Sequence, residues 1–159
     1  MAKARPIPGF AEATTFREAA AATVEVRAEE VFEHGDGVLD TRDIERVHAM
    51  RVATRRLRAA LEIFAVCFPK KQHRRLLKEV KALADALGER RDRDVAIAAL
   101  DEAARSLTAT ERPGLRQLAG DLRAEQEAAN EALARKLEEV EAEDLRGRLA
   151  ALAAAGRTA

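Results

Sequence analysis

Apolar residues recur at three- and four-residue spacing through most of this chain, and residues that would interrupt a helix are few. In "VHAMRVATRRLRAALEIF" (residues 47–64), an advance of about 100° per residue puts Met50, Ala53, Leu57, Ala60, Leu61 and Phe64 on one side, and Phe68 extends the stripe. In residues 70–87 the same construction aligns Leu76, Leu77, Val80, Leu83, Ala84 and Leu87. With eight glycines and four prolines in 159 residues, and Ala, Leu, Arg and Glu dominant, the chain specifies an all-α fold.

The interruptions divide the chain. Residues 1–10, with Pro6 and Pro8, read as an irregular lead-in, and residues 11–155 as one helical domain, long enough for a real core. A first helix is predicted over residues 11–33, ended by "HGDGVLD". A second starts from a cap at Asp40 or Thr41 and runs to about Phe68, where Pro69 stops it. A third covers residues 70–87 with Gly88 as C-cap, and a fourth covers residues 92–107 with Asp92 or Asp94 as its cap. After the break "TATERPG" a long, largely acidic helix runs to about Glu139, and a short one spans residues 144–154. Short connections make neighbours antiparallel, giving a bundle of about five to six helices.

Formal net charge is zero, but between Arg46 and Asp94 fourteen Lys/Arg face only six Asp/Glu, a surplus of eight that the remainder balances. On the second helix His48, Arg51, Arg55 and Arg58 fall opposite the apolar stripe, Arg56 lies off to the flank, and no acid joins them before Glu62. Like charges four apart cost an isolated helix a few tenths of a kcal/mol per pair, about 0.2–0.5. The next helix repeats the design with Lys71, Arg74, Arg75, Lys78 and Lys81. Two adjacent basic ridges suit a phosphate-rich anion, which Arg binds bidentately and Lys meets as a point charge.

Other functions find little support. His34, His48 and His73 have no metal-ligand spacing, and neither a phosphate-cradling glycine loop nor a nucleophile elbow occurs, so neither enzyme chemistry nor a cofactor or metal is expected. Five Phe without Trp or Tyr offer poor stacking platforms, which disfavours nucleic acid. Cys67, alone in "FAVCF", reads as a small buried hydrophobe. No apolar run approaches the roughly 20 residues of a membrane span, and the N-terminus has no signal-peptide pattern, so a cytoplasmic protein without a membrane partner is expected. The alternative to an anion ligand is an acidic protein partner docked on the same basic face.

Two motifs carry a family resemblance. Residues 47–64 resemble the first signature of the CHAD family (conserved histidine α-helical domain): a His, an Arg three residues on, then R-R-L-R entering an apolar run. "LGERRDRDV" (residues 87–95) is similar to the family's second signature, L-G-x-x-R-D-x-D-V. The resemblance implies a helical bundle that binds inorganic polyphosphate on basic side chains, with association to polyphosphate granules. By position it implies ligand-binding roles for His48, Arg51, Arg55, Arg56, Arg58 and Arg91, with Asp92 and Asp94 orienting neighbouring arginines or capping a helix. Lys71, Arg74, Lys78 and Lys81 join them from the intervening basic ridge. Typical members are longer, with two related helical halves around a cavity, whereas this sequence has one signature set. Either one half binds on an open groove or two chains pair as a homodimer, the latter being favoured. No E-x-E-x-K motif of the catalytic CYTH partner occurs, so hydrolysis is not expected.

Overall fold

The computed structural model describes residues 3–11 and 14–158. Five α-helices and one short 3-10 turn (Ala65–Cys67) account for the regular structure, and no strand occurs among the described residues. They are α1 (Phe16–Glu33), α2 (Ile44–Ile63), α3 (Lys70–Ser106), α4 (Arg112–Ala142) and α5 (Leu145–Thr158). In space α1 packs on α2 and α5, α2 on α3, and α3 on α4, while α5 returns to touch α3 and α4.

The apolar stripes read from spacing form the core. Met50, Ala53, Leu57, Ala60, Leu61 and Phe68 of the second stripe are buried, as are Leu76, Val80, Leu83 and Leu87 of the third. They meet Ala20, Ala21, Val24, Ala28 and Val31 of α1 and Leu145, Leu149 and Leu152 of α5. Cys67 is a buried free thiol. Gly156 lets α5 approach the 3-10 turn closely, since a Cβ there would lie 2.6 Å from Phe68 Cε1.

Local chemistry moves several predicted boundaries. The first helix starts at Phe16 rather than Ala11, because "TFRE" is a capping box: Thr15 Oγ1 accepts from Glu18 N (3.2 Å) and Glu18 Oε2 accepts from Thr15 N (2.8 Å). Residues 12 and 13 of the expected helix, and residues 1 and 2 of the lead-in, lie outside the described residues. The rest of the lead-in is non-helical as expected, but it is strapped to the end of α1. Arg5 N donates to Glu30 Oε1 (2.5 Å), and Arg27 Nη2 donates to Arg5 O (2.9 Å). Burial pushes the Glu30 carboxyl up, and the donors Arg5 and Arg27 more than reverse this, so it titrates below its usual range. Asp43, not Asp40 or Thr41, precedes α2. Asp40 instead binds its neighbour Arg42, which lowers its pKa to about 2. In the connecting turn Gly37 adopts φ +69°, a left-handed conformation that favours glycine.

The largest correction concerns the middle of the chain. The two helices predicted over residues 70–87 and 92–107 are one helix, α3, whose 37 residues extend about 55 Å at 1.5 Å per residue. Gly88 is therefore no C-cap, and neither Asp92 nor Asp94 caps a helix. A lone mid-helix glycine costs only about 1 kcal/mol relative to alanine, which the packing on both sides outweighs. Gly88 faces α2, where an added Cβ would lie 3.8 Å from Arg51 Nε. Beyond Asp94 only Ile97 of α3 is buried, so the far halves of α3 and α4 form a two-helix arm extending from the bundle.

A four-member charge cluster closes the other end of α3. Arg148 of α5 donates twice to Glu79, with Nη1 to Oε1 at 2.9 Å, and Arg75 Nε donates to the same carboxylate at 3.1 Å. Glu143 at the end of α4 lies 3.6 Å from both arginines. The hydrogen bonds from Arg148, aided by Arg75, hold the Glu79 carboxyl below its usual range despite partial burial. A carboxylate with a lowered folded-state pKa stabilises the fold above the unfolded value and loses that contribution as pH falls through the folded one. Thermal stability should therefore fall with acidification below about pH 4.3. Glu79→Gln should be less stable than the wild type at pH 7, with part of this acid sensitivity removed, as followed by circular dichroism.

Candidate anion-binding face

The sequence places positive charge on α2 and α3, and antiparallel packing brings the two ridges side by side. Arg51 lies beside Gly88, and Glu62 of α2 is shared between Arg58 Nε (3.1 Å) and Lys81 Nζ of α3 (3.1 Å). His48, Arg51 and Arg58 are half-buried and Arg55 is exposed. Lys71, Arg74 and Lys78 stand exposed on the outward side of α3. Lys78 also lines a groove of about 370 Å³ against α4 with Arg75, Ala82, Lys136 and Glu139.

Which of these cations an external anion would find unengaged follows from their neighbours. Most arginines elsewhere in the fold already hold a carboxylate: Arg27 with Glu30, Arg46 with Asp43, Arg93 with Glu125, Arg146 with Glu29, Arg157 with Glu25. Among the described residues Arg51, Arg55, Lys70, Lys71, Arg74 and Lys78 have no carboxylate partner. These six lie together on the two adjacent ridges, whereas Lys3, Arg17, Arg112, Arg116 and Arg135, likewise without a carboxylate partner, are scattered elsewhere. Lys70 was not singled out from the sequence, although it begins the acid-free first turn of α3. Cations at a helix N-terminus oppose the macrodipole, so that turn is electrostatically unfavourable until an anion is near.

The remaining basic candidates on α2 and α3, His48 apart, are engaged. Lys81 and Arg58 share the single charge of Glu62, whose carboxyl their hydrogen bonds hold below the usual range, Lys81 contributing most. Arg56 faces α1, where its charge acts on Glu30. Arg91 Nη1 donates to Ile44 O (3.1 Å), and its Nη2 lies 3.7 Å from Glu45, which pins the start of α2 to α3. Asp92 is exposed on α3.

Asp94 is deep in the α3–α4 interface. It is 1% exposed, pairs with Arg90 (0% exposed), and its Oδ1 accepts from Gln126 Nε2 of α4 at 2.6 Å. Arg90 Nε and Nη2 are buried without a hydrogen-bond partner among the described residues. Sequence reasoning missed Arg90. Its signal was present, since Arg90 and Asp94 continue the Leu76, Leu83, Leu87 stripe once the helix is carried through Gly88.

His73 belongs to the core. Its Nε2 donates to Leu61 O (2.7 Å), and its ring stacks on Phe68 with centroids 6.2 Å apart. No group of three or more potential metal ligands occurs among the described residues, and no described helix is long and apolar enough to cross a membrane. Chemically, the α2–α3 face can hold a multivalent anion through charge-assisted hydrogen bonds. A family model described as CHAD domain matches residues 22–159. No curated protein matches the chain.

Proposed function

Since the chain belongs to the CHAD family, we propose that it is a non-enzymatic module that binds inorganic polyphosphate along the α2–α3 face. One observation supports this reading above the others: six cations without a carboxylate partner among the described residues lie together on two adjacent ridges, while the others so placed, Lys3, Arg17, Arg112, Arg116 and Arg135, are dispersed over α1, α4 and the lead-in. Arg51 and Arg55 would take phosphate oxygens with their planar forks, and Lys70, Lys71, Arg74 and Lys78 would supply point charges along α3. Arg58 and Lys81 would join by exchanging Glu62 for phosphate. A linear polyanion suits this layout better than a compact one, because the cations are spread over several helical turns and only Lys78 among them lines a groove.

On an open face of this kind, pairing of two copies across one polyanion would bring two basic surfaces together only while the ligand lies between them. Homodimerisation would then depend on the anion, and targeting to polyphosphate granules would follow from avidity along the polymer.

The test is titration of long-chain polyphosphate at low and moderate salt. Counterion release makes such binding steeply salt-dependent, by about two to three orders of magnitude between roughly 50 and 200 mM if about six phosphates are contacted. Absence of binding at low salt would refute the reading, as would affinity indifferent to salt.

A further inference from the structure

The corner joining α2 to α3 presents apolar side chains to solvent. Val66 is 79% exposed, Ile63 68% and Phe16 57%. The arrangement is rigid. The 3-10 turn sends Cys67 and Phe68 into the core and leaves Val66 outside. Arg17 Nη1 pins the turn through Cys67 O (3.1 Å), and Phe16 packs on Phe64 with ring centroids 5.2 Å apart. Immediately beyond Pro69 stand Lys70 and Lys71, with Arg74 one turn later, all exposed and without a carboxylate partner among the described residues.

An exposed apolar group held on a fixed turn and skirted by unpaired cations matches the two chemistries of an anionic bilayer surface. We propose that this corner docks on an anionic lipid surface. Ile63, Val66 and Phe16 enter the boundary between headgroups and acyl chains, while Lys70, Lys71 and Arg74 meet the headgroup phosphates. A second copy is a poor occupant, because a two-fold contact through the corner would oppose the same three cations. The corner is also convex, as the exposure of Ile63 and Val66 shows, so it projects into a soft surface rather than receiving a partner's helix. The expectation of no membrane partner rested on the absence of a span, and surface docking needs none. Lys70, Lys71 and Arg74 serve both readings, whereas Ile63, Val66 and Phe16 take no part in the proposed polyphosphate face, so substitutions at the apolar positions tell the two apart.

The chain contains no tryptophan, so Val66→Trp introduces a single reporter. With vesicles holding about a quarter phosphatidylglycerol, its emission should shift to the blue, a shift that soluble polyphosphate in the absence of vesicles should not produce. The wild type should co-sediment with these vesicles and much less with pure phosphatidylcholine. Ile63→Asp with Val66→Asp should weaken that partitioning about tenfold or more, and Lys70→Glu with Lys71→Glu should do the same. Both Asp positions are exposed, so the unfolding temperature should be retained, and the uncharged pair Ile63→Ser with Val66→Ser should weaken partitioning while leaving polyphosphate affinity unchanged. The proposal is overturned if the wild type does not co-sediment or if the double Asp variant partitions undiminished. It is overturned equally if the introduced indole stays in water on vesicle-bound protein, which would mean the basic ridge alone makes contact. Self-association that the Asp variant abolishes, without vesicle binding, would assign the corner to a second copy.

Discussion

Replacing Arg51 and Arg55 together by glutamate is expected to abolish polyphosphate binding while leaving helix content intact. Neither arginine has a carboxylate partner, and Arg55 is exposed, so the fold gains little from their charge. Binding, in contrast, loses two cations from the centre of the α2 ridge and acquires two anions there. Milder variants sharpen the test. Arg51→Gln with Arg55→Gln removes an i,i+4 repulsion of about 0.2–0.5 kcal/mol, so thermal stability should hold or rise slightly while affinity falls. Residues kept only for the fold would not show opposite effects on stability and binding. The reciprocal variant, Glu62→Gln, releases Arg58 and Lys81 and should tighten binding most clearly at low salt. Isothermal titration beside circular dichroism reads both quantities. Loss of helicity in the Glu variant would make these arginines structural.

The fold class and the identity of the core were legible because they depend on periodicity, which survives without knowledge of neighbours. Met50, Leu57, Leu61, Val80, Leu83 and Leu87 are buried where spacing placed them. Helix ends were less legible, being decided by single hydrogen bonds or by tertiary support. The Thr15–Glu18 capping box was readable in "TFRE" and sets the start of α1. Gly88 is the opposite case. Local propensity reads it as a stop, whereas flanking contacts with α2 and α4 carry the helix through it, and only tertiary structure supplies those contacts.

That single boundary also decided how the second signature could be understood. With a turn at residues 88–91, Asp92 and Asp94 look like caps and Arg91 like an anion ligand. With α3 continuous, the four residues Arg90–Arg93 point in four directions. Arg90 enters the core, Arg91 turns to the start of α2, Asp92 faces solvent, and Arg93 approaches Glu125 of α4. The charge surplus of the middle third was likewise visible in the sequence, but its division into engaged and unengaged cations was not. Glu62 pairs with Lys81 from another helix, and Arg56 turns toward α1, relations that a helical wheel of one segment cannot contain.

Asp94→Ala is expected to be the most damaging single substitution in the second signature. It removes the carboxylate that compensates a fully buried guanidinium and takes away the acceptor for Gln126, at the point where the α3–α4 arm leaves the bundle. Arg90 already has two buried nitrogens without a partner, so nothing nearby replaces the lost acceptor. Breaking a buried ion pair from one side costs about 3–5 kcal/mol, a large part of the roughly 5–15 kcal/mol that stabilises a domain. For a chain of this size the melting temperature should fall by about 10 °C or more. Arg90→Met with Asp94→Leu removes both charges and both desolvation penalties while keeping volume, so it should recover most or all of the loss. Polyphosphate affinity of the double variant should equal that of the wild type, because neither side chain reaches the basic face. Thermal unfolding of the three proteins separates the possibilities: if the double variant is as unstable as Asp94→Ala, the hydrogen bond from Gln126, not the buried charge, holds the arm to the bundle.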